Sequence, residues 1–172
     1  EGHLNWFDGK DTRQIFVMLA EKDFFEVMGV PVALGRGIRP DDPDAVAVLH
    51  HRFWKARFNS DPTILGRTIT LEGKPYEVIG VLPEAHRTVM GMGYSPDVYV
   101  PRHLEEGRTG LYVRLTAGQS EASAYAAAKA VGARLDAELP NRFGKYQDAI
   151  TVEAVGGMPR LKNSLKSAAI FM

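Results

Sequence analysis

The 172-residue chain contains no cysteine. That excludes a disulfide framework, a thiolate zinc site and a cysteine nucleophile. An excess of one charge is missing as well, because 21 Lys and Arg balance 21 Asp and Glu. No run of basic residues supplies the face by which nucleic acid is bound, so nucleic acid is not an expected partner. Long apolar runs are also absent. The longest, IFVMLA at 15–20, falls far short of the roughly 20 residues that span a bilayer. No signal peptide opens the chain at EGHLNWFDGKDT, and the segment is expected to be soluble as it stands and cut from something larger. What is present is ordinary globular material, 45% apolar and 24% charged, long enough for one domain or two small lobes with a real core.

Candidate chemistry is sparse. The pair His50-His51 invites a metal reading, but neighbours on a helix diverge by about 100° and neighbours on a strand face opposite ways. His3, His86 and His103 are scattered in loops, so solvated or capping histidines are expected and no metal. Gly35-Arg36-Gly37 and Gly91-Met92-Gly93 do not extend to GxGxxG, and Gly9-Lys10-Asp11-Thr12 lacks the upstream glycine of a phosphate loop. No GxSxG elbow exists. Asp41, Asp42 and Asp44 lack the spacing of a calcium loop and read as a solvated turn. No catalytic residue, cofactor or metal is therefore expected, and an enzyme is not expected either.

The pattern of elements is clearer. RQIFVMLA at 13–20 reads as a buried strand, and EKDFFEVMGV as a short helix ending at Gly29. A Pro/Gly/Asp-rich connector at 31–44 leads to the strand AVAVL and the helix HHRFWKARF, with Phe53, Trp54 and Phe58 inward. LGRTITLEGKPYEVIGVLP at 65–83 is a hairpin with its turn at 72–75. In it Ile69 and Leu71 share one face, and Tyr76, Val78 and Leu82 oppose Ile79 and Val81, as in a strand covered on both sides. PDVYVP is a short strand whose prolines confine it to an edge or an end. GLYVRL is another strand, and Ser120 caps a long helix that Pro140 stops. Its expected stripe is Tyr125, Ala128, Val131, Leu135 and Leu139. ITVEAV at 150–155 closes the series of strands. In the tail PRLKNSLKSAAIFM, Leu161, Leu165, Ala168 and Met172 share one helical face, as in a docked helix or the start of a membrane span. Phe53, Trp54, Ile69, Val78, Val81, Val131 and Leu135 are the expected core. The fold class is α+β, in two lobes.

Four stretches carry a resemblance: DFFEVMGVPVALGRGIRPDD, then AVAVLHHRFWKARFNSDPTILGRTITLEGKPYEVIGVLPE, then SPDVYVP, and LYVRLTAGQSEASAYAAAKAVGARLDAELP. Together they resemble the MacB-like periplasmic core domain of FtsX-type ABC transporter permeases, of the MacB-like kind abundant in acidobacteria. The resemblance runs from about 15 to 155. FWxxRF, DPxxLG followed by Arg or Lys, and the hairpin leading to GVxP are specific only in combination. Two departures stand out. His50 takes the place of a family Ser or Thr N-cap, so a weaker helix start is expected. Most of the segment that precedes the strand at Ile15 is absent, so a lobe lacking one strand is expected.

The resemblance implies a porter-like βαβ-type lobe from the chain ends, 11–37 with 107–155, and a mixed β-rich sabre-like lobe with one helix at 45–104. A tail at 156–172 would lead toward a membrane helix. It implies an extracytoplasmic domain of an inner-membrane permease that transmits ATP-driven conformational change to export or to periplasmic partners. Its partners would be its own transmembrane helices, a cytoplasmic ABC ATPase on a separate domain or chain, a second permease copy and a periplasmic adaptor protein. Self-association of the domain alone is expected to be weak. The alternative class is a stand-alone periplasmic module that binds a ligand or protein without a transport role. HRTVMGMGYS at 86–95 sets apolar Met90, Met92 and Tyr94 among glycines, and these are the candidate partner contacts.

Overall fold

The computed structural model describes residues 2–87, 95–102, 110–139, 148, 150–155 and 167–171. The chain divides into two compact units, Glu1–Leu104 and Glu105–Met172. The first carries strands β1 (Gly2–Phe7), β2 (Thr12–Ala20), β3 (Leu34–Gly35), β4 (Val46–Leu49), β5 (Thr68–Leu71), β6 (Lys74–Val81) and β7 (Val98–Pro101). Helices α1 (Phe24–Met28) and α2 (His51–Phe58) belong to it, with a 3-10 turn at Pro62–Ile64.

These strands form one sheet in the order β3-β6-β4-β7-β2-β1-β5, and a further pairing of β5 with β6 closes six of them into a ring. Closure removes the unpaired edges that an open sheet would expose. Side-chain alternation then sorts each strand into an inner and an outer set. Ile15, Val17, Ala47, Leu49, Ile69, Leu71, Val78, Val81, Val98 and Val100 share one apolar cluster, joined by Trp6, by Phe53 of α2 and by Ile64. Met18, Ala20, Val46, Val48, Ile79, Leu82 and Tyr99 form a second cluster, covered by Phe25 and Ile38. The 13–20 strand and the two-sided 76–82 strand are therefore as expected.

Several expectations are corrected here. β1 is a strand that the sequence reading left unassigned, and it pairs antiparallel with β2 along its whole length. Gly9-Lys10-Asp11-Thr12 is the end of that hairpin turn, where Asp8 Oδ1 accepts the N–H groups of Lys10 and Asp11 at 2.9 and 2.8 Å. β7 is an interior strand, parallel to β2 and antiparallel to β4, with Pro101 at its end. The partition of 11–37 with 107–155 is not what these pairings give. β2 bonds to β7 and β3 to β6, so 11–37 shares a sheet with 45–104. A β-bulge also resets the 76–82 faces: the register shifts after Ala47, so Val48 pairs Gly80 and Leu49 pairs Val81. The extra residue carries Val81 into the cluster of Val78 rather than that of Ile79.

The hairpin turn is tighter than expected. Glu72 and Gly73 both hold positive φ, 48° and 73°, so two residues suffice to match the strand twist. Leu71 then pairs Lys74 directly. Glu72 also ties the tip to β1, since its Oε1 accepts from the Asn5 N–H at 2.6 Å and its N–H donates to the Asn5 carbonyl at 2.8 Å.

On α2, Phe53 is buried, while Trp54 is only partly so and packs at the rim of the inner cluster. The Trp54 indole N–H donates to the Asp61 carbonyl at 2.9 Å, which joins α2 to the 3-10 turn. Full burial of a Trp would make Trp54→Ala cost about 3–5 kcal/mol, and the half-buried ring lowers this to about 2–3 kcal/mol. Chemical denaturation checks the figure, and a midpoint equal to that of the wild type would contradict the packing.

The second unit contains β8 (Gly110–Arg114), α3 (Glu121–Glu138), β9 (Thr151–Val155) and β10 (Ser167–Phe171), with the strands in antiparallel order β8-β10-β9. β10 corrects the expected helical tail over 167–171. It is registered against both β8 and β9, with Ala169 opposite Tyr112 and Glu153. Ser120 caps α3 as expected, and Ser123 at the third position completes a reciprocal capping box. The buried stripe of α3 is shifted. Gly132 is buried, Ala128 and Leu135 are half-buried, and Tyr125, Val131 (44% exposed) and Leu139 face solvent. Val131 thus leaves the expected core, because the helix turns the face of Ala128, Gly132 and Leu135 inward instead.

Candidate functional site

The start of α2 gathers most of the polar side chains that fall outside a simple structural pattern. His50 stands at the N-cap, and its Nδ1 accepts the Arg52 backbone N–H at 3.1 Å. The helix start is therefore capped by an imidazole rather than a hydroxyl. An accepting Nδ1 carries no proton, which assigns His50 as the neutral Nε2–H tautomer. That Nε2 lies 3.5 Å from the carbonyl oxygen of His86. His86 Nε2 in turn lies 2.9 Å from the Tyr99 hydroxyl, and its Nδ1 is buried without a hydrogen-bond partner among the described residues.

Both rings are enclosed, at 5% exposure for His50 and 4% for His86, with centroids 5.9 Å apart. Burial lowers the pKa of His50. Burial, followed by the neighbouring His50 and Arg87, takes His86 from 6.5 to about 4. Both are therefore neutral at neutral pH. Asp97 locks the surrounding backbone: it accepts from Phe16 N–H at 3.1 Å and from Arg52 at 3.3 Å, and its carbonyl accepts the His50 N–H at 2.9 Å.

Above the pair lies an open cleft of about 590 Å³, lined by His50, His51, Arg52, Lys55, Glu84, Arg87 and Ser95 among others. Arg52 is held by Asp97 and by the Ser95 carbonyl, while Arg87 donates to the carbonyls of Glu84 and His86. Nothing in this set pairs a nucleophile with a base. Among the described residues, no three His, Cys, Asp or Glu side chains converge as metal ligands would.

The structure separates the other sequence candidates. Met90, Met92 and Tyr94, together with Gly91-Met92-Gly93 and His103, lie outside the described residues. Arg87 and Ser95, on either side of 88–94, both line the cleft. His3 is exposed on β1, its ring 5.6 Å from that of Phe16. Asp42 is a correction: it is buried and not a solvated turn residue. Both of its oxygens are held by the Arg36 guanidinium, and Oδ2 also accepts the Arg39 N–H at 2.8 Å. The Arg36 bond holds its carboxyl below the usual range. The glycines beside Arg36 serve approach rather than phosphate binding, since a Cβ on Gly35 would sit 2.3 Å from the Ile79 carbonyl oxygen. His86, expected to be a solvated or capping loop histidine, is a further correction, because it is buried. A lone histidine between Ala and Arg carries no periodic signal of burial.

The family described as the MacB-like periplasmic core domain matches residues 2–131. The chain belongs to that family. It is thus a periplasmic domain of the MacB/FtsX-like ABC transporter permease family, a type of domain that is typically non-enzymatic. Two solved structures share the fold of this MacB-like domain at low identity. The periplasmic region of MacB from Actinobacillus actinomycetemcomitans is 18% identical, with 83% of this chain and 74% of that one aligned at a TM-score of 0.54. A domain of a putative permease from Porphyromonas gingivalis is 18% identical, with coverage of 77% and 65% and a TM-score of 0.53. The extracellular domain of YknZ, a noncanonic ABC-type transporter from Gram-positive bacteria, is 20% identical, with coverage of 58% and 50% and a TM-score of 0.46. The MacB-like domain thus spans half the length of that last chain. No curated protein matches the sequence. No helix among the described residues is long and apolar enough to cross a membrane.

Proposed function

We propose that this domain transmits ATP-driven conformational change, delivered through the permease's own membrane helices, to export or to periplasmic partners. The observation that carries the reading is the family match across 2–131. A sheet closed by the β5–β6 pairing and buried on both faces at β4 and β7 supports it. Such an element moves as a rigid piece, because a packed interior transmits strain rather than absorbing it. In this reading ATP hydrolysis resides on a separate domain or chain, the permease works with a second copy, and a periplasmic adaptor is a further partner. Met90, Met92 and Tyr94 are proposed to contact one of these partners.

Spin-label distances test the proposal in the intact transporter. The cysteine-free sequence allows unique labels at the exposed positions Phe7 and Tyr125. In a full-length permease otherwise stripped of cysteine, the distance is expected to change between ADP and a non-hydrolysable ATP analogue. Replacing Met90, Met92 and Tyr94 with serine should leave that change intact and lower transport. A label distance identical in both nucleotide states would refute transmission.

A further inference from the structure

The His50–His86 pair plays no part in that transmission reading, and its chemistry points elsewhere. We propose that the pair is an acid-operated latch: proton uptake uncaps α2 and loosens residues 84–87 from β7, while the closed sheet stays intact. Three features lead there. First, His50 Nδ1 cannot both hold a proton and accept the Arg52 N–H, so protonating that nitrogen turns the cap into a donor facing a donor. Among the described residues, the only other hydrogen bond of the His50 ring is the weak one at 3.5 Å to the His86 carbonyl. Second, His86 leaves Nδ1 buried and, among the described residues, unpartnered in the neutral state, and a proton there would place a poorly compensated cation in the interior. The strain falls on the contact between residues 84–87 and β7, which the 2.9 Å bond to Tyr99 maintains.

Third, the surrounding charges do not compensate. Arg52 of α2 and Arg87 both oppose a proton on the pair, whereas Asp97, ahead of β7, favours one on His50. Asp97 is already engaged by Arg52 and the Phe16 N–H. Glu84 shares the cleft wall, and the face toward α1 is aromatic, with Phe24 and Phe25 against Tyr99. Each folded-state pKa is lowered, so the closed arrangement is fully favoured above the ordinary histidine value of 6.5. It is lost as pH falls toward the folded value, about 4 for His86. Across that window each pH unit of acidification should raise the open population by up to about tenfold for each histidine. Elsewhere the fold resists, because Leu49, Val78 and Val98 of the ring carry no titratable group.

Amide hydrogen exchange on the 172-residue chain, corrected for the intrinsic pH dependence, tests the latch. Protection of Arg52 N–H is expected to fall as the pH is lowered from neutral to about 4.5, while the amides of β4 and β7 keep theirs. His50→Ser, which caps without titrating, and His86→Gln, which can still bond Tyr99, should each flatten the profile. Histidine side-chain NMR on the wild type gives a reading independent of either variant, with both rings expected to titrate below 6.5. Arg52 protection constant with pH would refute the latch. So would its loss together with the β4 amides, or an ordinary titration of both histidines.

Discussion

Tyr99→Ala is expected to lower the melting temperature of the first unit by about 10–20 °C, from a loss of about 3–5 kcal/mol. Tyr99 is fully buried at the middle of β7, with Met18 of β2 on one side and Val48 of β4 on the other. Its ring stacks on Phe24 at 6.1 Å and meets Phe25 and His86 edge-on at 5.8 Å each. Truncation removes the hub of that cluster and takes the hydrogen bond from His86 Nε2, whose other nitrogen is already unpartnered. Tyr99→Phe separates the two effects. It keeps the packing and should cost only about 1–2 kcal/mol for the orphaned nitrogen. Both tryptophans, Trp6 and Trp54, lie in the first unit, so their fluorescence follows its unfolding alone. A Tyr99→Ala melt within about 2 °C of the wild type would contradict the packing described here.

Gly80→Ala adds a single methyl and should still cost about 3 kcal/mol or more. A Cβ at Gly80 would stand 2.1 Å from the Arg36 carbonyl oxygen, with the carbonyl carbon and amide nitrogen of Arg36 also close. Every one of those atoms is backbone, so no rotamer change relieves the clash. β3 must move off β6, which breaks the Arg36 N–H bond to the Ile79 carbonyl at 3.0 Å and that of Ala33 to Val81 at 2.9 Å. Arg36 would also be displaced from Asp42, leaving a buried carboxylate short of its principal partner. Tryptophan fluorescence against denaturant provides the measurement, and an unchanged midpoint would mean that β3 does not approach β6 as described. A control at Gly66, where a Cβ meets nothing within 4 Å, should lose only the smaller cost of its positive φ of 78°.

The two variants also show where sequence reasoning could and could not reach. The buried strands at 13–20 and 46–49, the hairpin, α2 and the Ser120 cap were legible because each is set by local chemistry: alternation, a turn pair or a capping hydroxyl. Gly80 looked like one glycine among 17. Its role arises from a chain segment more than forty residues upstream, which no local pattern records. Asp42 read as solvated for a different reason: its partner Arg36 is only six residues away, but nothing in the intervening GIRPD pattern marks the pair.

For this chain the sequence alone determined the α+β class, most of the element boundaries and the MacB-like kinship, because these follow from periodicities and motifs carried within short windows. Tertiary structure decided the rest. Ring closure depends on β1 meeting β5 across more than sixty residues, through Trp6 with Leu71 and Phe7 with Thr70. The division of the chain follows from β2 choosing β7, and the Val81 face from a bulge set by the neighbouring strand. The histidine pair joins the end of β4 to a loop thirty-six residues later. Burial and partnership are properties of the assembled neighbourhood, and a residue's own neighbours in sequence do not carry them.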